Sequence, residues 1–329
     1  MSVFWVYAGF FALVLVALAL DLGVFHRTPH EVKAREALTW TGIWALVAVL
    51  FSGVVWLLYE NHVCGLGICA PDPSLGGTDA ALLYLQGWIV EQSLSVDNMF
   101  VIALVFGHFK VPALYQHRVL VWGVLGALVM RGTLIALGAT LVQSFNWTSY
   151  IFGGFLLFTA AKMLVDKGED EVHPDKAWLI RVARRIYPVS TDYDGQRFFT
   201  RRHDGVRAMT PLFLVLLAVE FTDLVFAVDS IPAIFSITTD PFLVITSNVF
   251  AIRGLRSLFF AVHDLMGRLH YMKLTLVVLL ALIGAKMIVE KALAWHPPAW
   301  VSLAAIVGVL AVGVVASLVR TRASRHASA

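Results

Sequence analysis

The chain has 329 residues, 59% of them hydrophobic and only 14% charged, with a mean hydropathy of +0.79 and a formal net charge of +3. Soluble domains do not reach this apolar fraction, so a water-soluble enzyme or binding module is excluded and an integral membrane protein is implied. The small basic excess marks membrane sidedness, and nucleic-acid binding is not indicated.

Nine segments are long and apolar enough to cross as helices, roughly 3–25, 38–58, 80–106, 117–141, 147–165, 209–235, 240–262, 272–290 and 298–319. The predicted fold class is therefore an all-α polytopic membrane protein. The first segment lacks a basic n-region and reads as a retained helix rather than a cleaved signal. It forms, with the second helix and an external loop, an N-terminal unit over 1–79. That loop carries the only two cysteines, Cys64 and Cys69, which an oxidising compartment would allow to pair. A first three-helix unit follows over 80–165, then a charged cytoplasmic linker over 166–208, a second three-helix unit over 209–290, and a final helix with a basic tail over 291–329.

Lys and Arg alternate between connections. The linker holds nine, from Lys167 to Arg207, whereas 59–79, 142–146 and 236–239 hold none. Cytoplasmic loops keep the positive residues, so the N-terminus is expected outside and the C-terminus in the cytoplasm. The linker's bases are matched by eight acids, and it reads as a solvated connection, with the stretch AWLIRVARRIYPV amphipathic enough to lie on a membrane surface.

An intramembrane charge pattern is written twice. EQSLSVDNM, from Glu91 to Met99, is answered by DLVFAVDSI, from Asp223 to Ile231, each placing an acid six residues before an Asp and a small polar residue. Each copy is followed by Arg-Gly, at Arg131 and Arg253, and then by Ala-Lys-Met, at Lys162 and Lys286. Three helices separate the two motifs, so the copies face opposite ways. This is the inverted-topology repeat of secondary transporters, whose substrate site lies near the midplane.

Five acids, Glu91, Asp97, Glu220, Asp223 and Asp229, and four bases, Arg131, Arg253, Lys162 and Lys286, lie in these segments. At about 3 kcal/mol each, they demand roughly 25 kcal/mol of pairing, water or bound ions. Internal ion pairs account for much of that, and the two lysines sit near helix ends where they can snorkel. At 100° per residue, Glu91, Ser95 and Asn98 share one face of the first helix, and Asp223 and Ser230, with Glu220 beside them, share the matching face of the second. Asp97 and Asp229 point about 120° away. They need either arginine partners, Arg131 and Arg253, or a helix break, for which Pro232 supplies a cause in the second copy. Carboxylate, amide and hydroxyl oxygens select hard divalent cations such as magnesium, calcium or manganese, and Met99 would tilt the choice toward manganese if it were a ligand rather than packing. No His-Glu-x-x-His and no Ser-His pair at membrane depth is present in the sequence, so an enzyme is not expected.

The stretch TPLFLVLLAVEFTDLVFAVDSIPAIFSITTDPFLVITSNVFAIRGLRSLFF, with VEQSLSVDNMFVIALVF and DGQRFFTRR before it, resembles the TerC family and specifically its Alx-like branch. The resemblance extends over essentially the whole chain. It implies an inner-membrane protein akin to LysE-type exporters and linked to manganese efflux, alkaline or metal stress and tellurium resistance. The family's intramembrane acids fall on Glu91, Asp97, Glu220, Asp223 and Asp229. Arg253 departs from the pattern, standing where the family more often has leucine. The expected function is thus export of manganese(II), as substrate rather than cofactor, with protons as a counter-ion and the lipid bilayer as surroundings, and the sequence names no protein partner. A membrane scaffold or metal-delivery partner in a stress complex is the alternative.

Overall fold

The structure is a computed structural model of the full chain, and it describes residues 4–20, 34–66, 75–145, 147–165, 178–201, 205–265, 271–293 and 297–327. Ten α-helices dominate: α1 Phe4–Leu20, α2 Ala34–Glu60, α3 Gly77–His108, α4 Ala113–Ser144, α5 Thr148–Val165, α6 Trp178–Ile186, α7 Pro211–Phe235, α8 Pro241–Leu265, α9 Met272–Leu293 and α10 Ala299–Ala327. Every segment predicted to span falls on one of them. Seven, α2–α5, α7, α9 and α10, are long and apolar enough to cross a membrane, and α1 and α8 carry shorter apolar stretches. The chain is an integral multi-pass membrane protein.

α3 packs along α8, α7 along α4, and α5 along α9, while α2 and α10 cover α3 from outside. Small residues set the closest of these approaches, as expected where no hydrophobic drive separates helix from lipid. A Cβ on Gly153 of α5 would stand 3.0 Å from the carbonyl oxygen of Gly284 on α9, and a Cβ on Gly284 would stand 2.9 Å from that of Gly153. Aromatic packing fixes the N-terminal helices: Phe10 of α1 and Phe51 of α2 meet Phe250 of α8, with ring centroids 6.1 and 4.7 Å away. Asp240 then caps α8, accepting from the backbone amides of Phe242 (2.9 Å) and Leu243 (3.3 Å) and from the Tyr59 hydroxyl (2.7 Å). Burial pushes the Asp240 carboxyl up from its ordinary value, against the pull of those three donors.

The segment before α7 is folded where it is described, rather than wholly solvated. The Ile180 side chain of α6 is fully buried in the cluster around Leu212 and Val215. Beyond α6, two short antiparallel strands, β1 Phe199–Arg201 and β2 Arg207–Met209, pair in register Phe199 with Met209. The Tyr193 hydroxyl donates to the Phe109 carbonyl at 2.8 Å, and the Arg118 guanidinium lies 5.1 Å over the Phe198 ring. These contacts tie the segment to the turn between α3 and α4. The amphipathic reading of AWLIRVARRIYPV holds for α6, but its apolar side faces the helices of its own chain.

α7 runs unbroken through Pro232, so the break offered as one alternative there does not form. Pro232 sits in the last turn, where loss of its bond to the Val228 carbonyl leaves little helix beyond it to redirect. The pairing of Cys64 with Cys69 involves residues 67–74, which lie outside the described residues.

Candidate functional site

The centre of the fold is one guanidinium held between two carboxylates. Arg131 of α4 is fully buried and donates from Nε to Asp223 Oδ2 at 3.0 Å and from Nη2 to Asp223 Oδ1 at 2.7 Å. Its Nη1 is ion-paired with Glu91 Oε1. Glu91 comes from α3 and is 1% exposed, and Asp223 comes from α7 and is 9% exposed. The planar fork of arginine suits this task, since one edge takes a carboxylate bidentately while another nitrogen remains for the second. The two acids that head the doubled motif are thereby brought together by an arginine from a third helix.

Glu220 lies one turn before Asp223 on α7. Its carboxylate rests directly over Gly126 of α4, so closely that a Cβ at 126 would overlap both oxygens and Cδ. Among the described residues it makes no hydrogen bond or ion pair. With every group ionised, Glu91, Asp223 and Glu220 against Arg131 leave two negative charges in excess at one place. Ala in place of Gly126 would gain about 1 kcal/mol in an ordinary helix. Here it is expected to lose about 1–3 kcal/mol by overpacking, and Glu220→Ala in the same chain is expected to relieve most of that. A double-mutant cycle of thermal midpoints measures the coupling, and additive effects would place the carboxylate elsewhere.

Asp97 and Asp229 do not pair with the arginines. Each instead lies within electrostatic reach of a lysine, Asp97 of Lys273 on α9 and Asp229 of Lys162 on α5. The Thr159 hydroxyl also donates to Asp229 Oδ1 at 3.2 Å. On an unbroken α7 the Asp229 side chain stays off the Asp223 face, which leaves α5 as its neighbour. Arg253 stacks over the Trp44 ring of α2 at 4.3 Å, a cation–π contact that departs from the symmetric pairing expected for it. Lys286 forms an i,i+4 pair with Glu290 at 3.4 Å, and Lys162 is exposed.

The neutral oxygens divide. Ser95 returns its hydroxyl to the Glu91 carbonyl at 2.6 Å, within its own helix. Asn98 is buried one turn below Ser95, and the Ser230 hydroxyl is buried without a partner among the described residues. Met99, 1% exposed, is packed in the apolar cluster of α3, α7 and α8. Among the described residues no three His, Cys, Asp or Glu side chains converge as a preformed metal cage would require.

A cavity of about 1390 Å³ opens on the face where α3 begins and α7 ends. Its walls include Asp79, Gln86, Phe235, Asp240, Lys286 and Glu290, and the connections around it are the ones poor in Lys and Arg. Gln86, in its lining, precedes Glu91 by five residues of one helix, about 7.5 Å. The opposite ends of α3 and α7 are closed by the cluster from Val105 and Phe106 to Leu212 and by the folded segment over them. Sequence reasoning missed two of these features. Gly126 would have appeared only as a small residue four turns along a long helix, and Asn248, buried in α8, belongs to neither copy of the doubled motif.

The sequence model of the Integral membrane protein TerC family matches residues 76–325. The chain is 43% identical over 321 residues to the uncharacterized membrane protein STKORF319 of Myxococcus xanthus, covering 98% of this chain and 93% of that one. It is 41% identical over 305 residues to the putative membrane-bound redox modulator Alx of Escherichia coli K12, covering 92% and 91%. It is also 43% identical over 242 residues to the chloroplastic thylakoid membrane protein TERC of Arabidopsis thaliana, covering 74% and 62%. No solved structure matches. The acids that the fold gathers around Arg131 all lie within the matched region, and the chain belongs to the TerC family of integral membrane proteins, in its Alx-like branch.

Proposed function

We propose that the protein is a secondary exporter that carries manganese(II) from the cytoplasm to the outside of a bacterial inner membrane in exchange for protons. The observation that supports it most is the central cluster: two carboxylates on one guanidinium with a third, Glu220, beside them, two negative charges in excess when all are ionised. A divalent cation neutralises that excess. Arg131 then acts as the stand-in cation that holds Glu91 and Asp223 between transport events, yielding them when the metal arrives with its stronger demand for oxygen ligands. Manganese is the ion that the family resemblance implies, and hard oxygen donors accept it.

The packing suits nine crossings arranged around an inverted repeat. Exchanging α3, α4 and α5 for α7, α8 and α9 carries the α3–α8 contact onto the α7–α4 contact and returns the α5–α9 contact to itself. The repeat halves then meet at the charged cluster, as transporters of this design require. With the basic-poor face outside, the N-terminus outside and the C-terminus in the cytoplasm, the 1390 Å³ cavity is the external vestibule and this conformation faces outward.

Purified protein in liposomes loaded with a manganese-quenched dye tests the reading. Manganese flux above that of protein-free vesicles, accelerated by a pH gradient, is expected. No flux in either direction under any imposed gradient would sink it.

A further inference from the structure

Two buried polar side chains, on the turns of α7 and α8 between the vestibule end and the depth of the charged cluster, have no hydrogen-bond partner among the described residues. Asn248 of α8 is 1% exposed and Ser230 of α7 2% exposed. Among the described residues neither amide atom of Asn248 and no atom of the Ser230 hydroxyl has a hydrogen-bond partner. Because both the oxygen and the nitrogen of Asn248 are unpartnered, this holds whichever way the amide is turned. Folds keep such groups rarely, and each asks for a reason.

Their position supplies one. Three helices converge at Gly87 of α3, where a Cβ would stand 2.9 Å from the Ser247 hydroxyl of α8 and 3.4 Å from Ile234 Cδ1 of α7. Asn248 follows Ser247, and Ser230 lies one turn deeper than Ile234. Glu91 is likewise one turn deeper than Gly87, whereas Gln86, next to Gly87, lines the cavity and has an unpartnered buried Oε1. The matrix around them is apolar, running from Phe235 at the cavity wall to Ile135, one turn from Arg131.

We propose that Asn248 and Ser230 are transit ligands, the neutral oxygens that take the cation as it leaves the carboxylate cluster and pass it to the vestibule through this apolar layer. The inference rests on the exporter reading. Amide and hydroxyl oxygens are hard donors, so they replace part of the hydration shell of a divalent ion. Being uncharged, they hold it less tightly than carboxylates and so allow it to leave, the balance that conduction demands.

Asn248→Leu, close in size and free of the unpaired amide, separates this role from a structural one. Manganese efflux from reconstituted vesicles is expected to fall about tenfold, while the thermal midpoint holds or rises, because an unsatisfied buried polar group has been removed. Asn248→Asp keeps an oxygen at the position, so it is expected to bind manganese more tightly and release it more slowly. Wild-type efflux in Asn248→Leu, or a fall in efflux that tracks a fall in thermal midpoint, overturns the proposal and leaves the exporter reading standing. A wild-type protein that moves no manganese sinks the exporter reading instead. The route is then decided by Ser230→Cys, which is expected to react with a small cationic thiosulfonate added at the vestibule face and to be protected by manganese. A cysteine there that reacts no faster than the native thiols overturns it.

Discussion

Arg131→Leu is expected to prevent accumulation of folded protein. The substitution leaves Glu91, 1% exposed, and Asp223, 9% exposed, facing each other without a counter-charge. Removing one partner of a buried ion pair costs about 3–5 kcal/mol, most of it the penalty of the charge left behind. That is a large fraction of the stability of an ordinary domain. Arg131→Lys is expected to be intermediate, since a point charge cannot engage Asp223 through two nitrogens while reaching Glu91. The decisive comparison adds Glu91→Gln and Asp223→Asn to Arg131→Leu. The triple variant removes all three charges together, so folded protein should return in detergent-based size-exclusion profiles and thermal melts, without manganese transport. Wild-type melting of Arg131→Leu alone would show that the guanidinium is not what holds α3, α4 and α7 together.

The pairing of the acids was only half legible in the sequence. Helical angles separate Glu91 and Asp223 from Asp97 and Asp229 correctly, because side-chain direction around one helix follows from 3.6 residues per turn. Which base meets which acid depends on how α4 crosses α3 and α7, and no single-helix angle contains that. The sequence reading therefore offered Arg131 to Asp97 as one of two alternatives, whereas the fold gives it to Glu91 and Asp223. The lysine partners were hidden for the same reason: Lys273 lies far from either motif and reaches Asp97 only because α9 packs near α3. The small hairpin before α7 did carry a signal, Asp204-Gly205 between two short alternating runs, with Gly205 at φ +79°. The density of charge around it read as a solvated linker. Asn248 shows the opposite limit. Thr246, Ser247 and Asn248 stand in a row in an apolar helix, and two of them return their hydroxyls to their own backbone, Thr246 to Phe242 and Ser247 to Val244. Only the packed structure reveals that the third does not.

On the exporter reading, neutralising Asp97 and Asp229 together is expected to bring manganese export down to the level of protein-free vesicles while the protein remains folded. The fold should survive because neither acid is fully buried and both lysines, Lys162 and Lys273, are exposed and sit near helix ends, where they can snorkel to the interface. Attractions between partly exposed charges contribute about 0–1 kcal/mol. An asparagine at 229 also keeps an oxygen for the Thr159 hydroxyl. On the exporter reading, transport should fail because each carboxylate lies within electrostatic reach of a lysine across the seam of the proposed repeat, Asp97 of one on α9 and Asp229 of one on α5. A group in that place can attract the opposite unit when charged and release it when protonated or bound to metal, which is the coupling that alternating access needs. Lys162→Gln with Lys273→Gln then separates two roles for the same acids. If the carboxylates act as metal or proton carriers, the lysine double variant should still export, because its acids remain. If the attraction across the seam is what matters, the lysine variant should fail along with the aspartate one. Full export by the aspartate variant itself would remove both residues from the mechanism and leave Glu91, Asp223 and Glu220 to carry it alone.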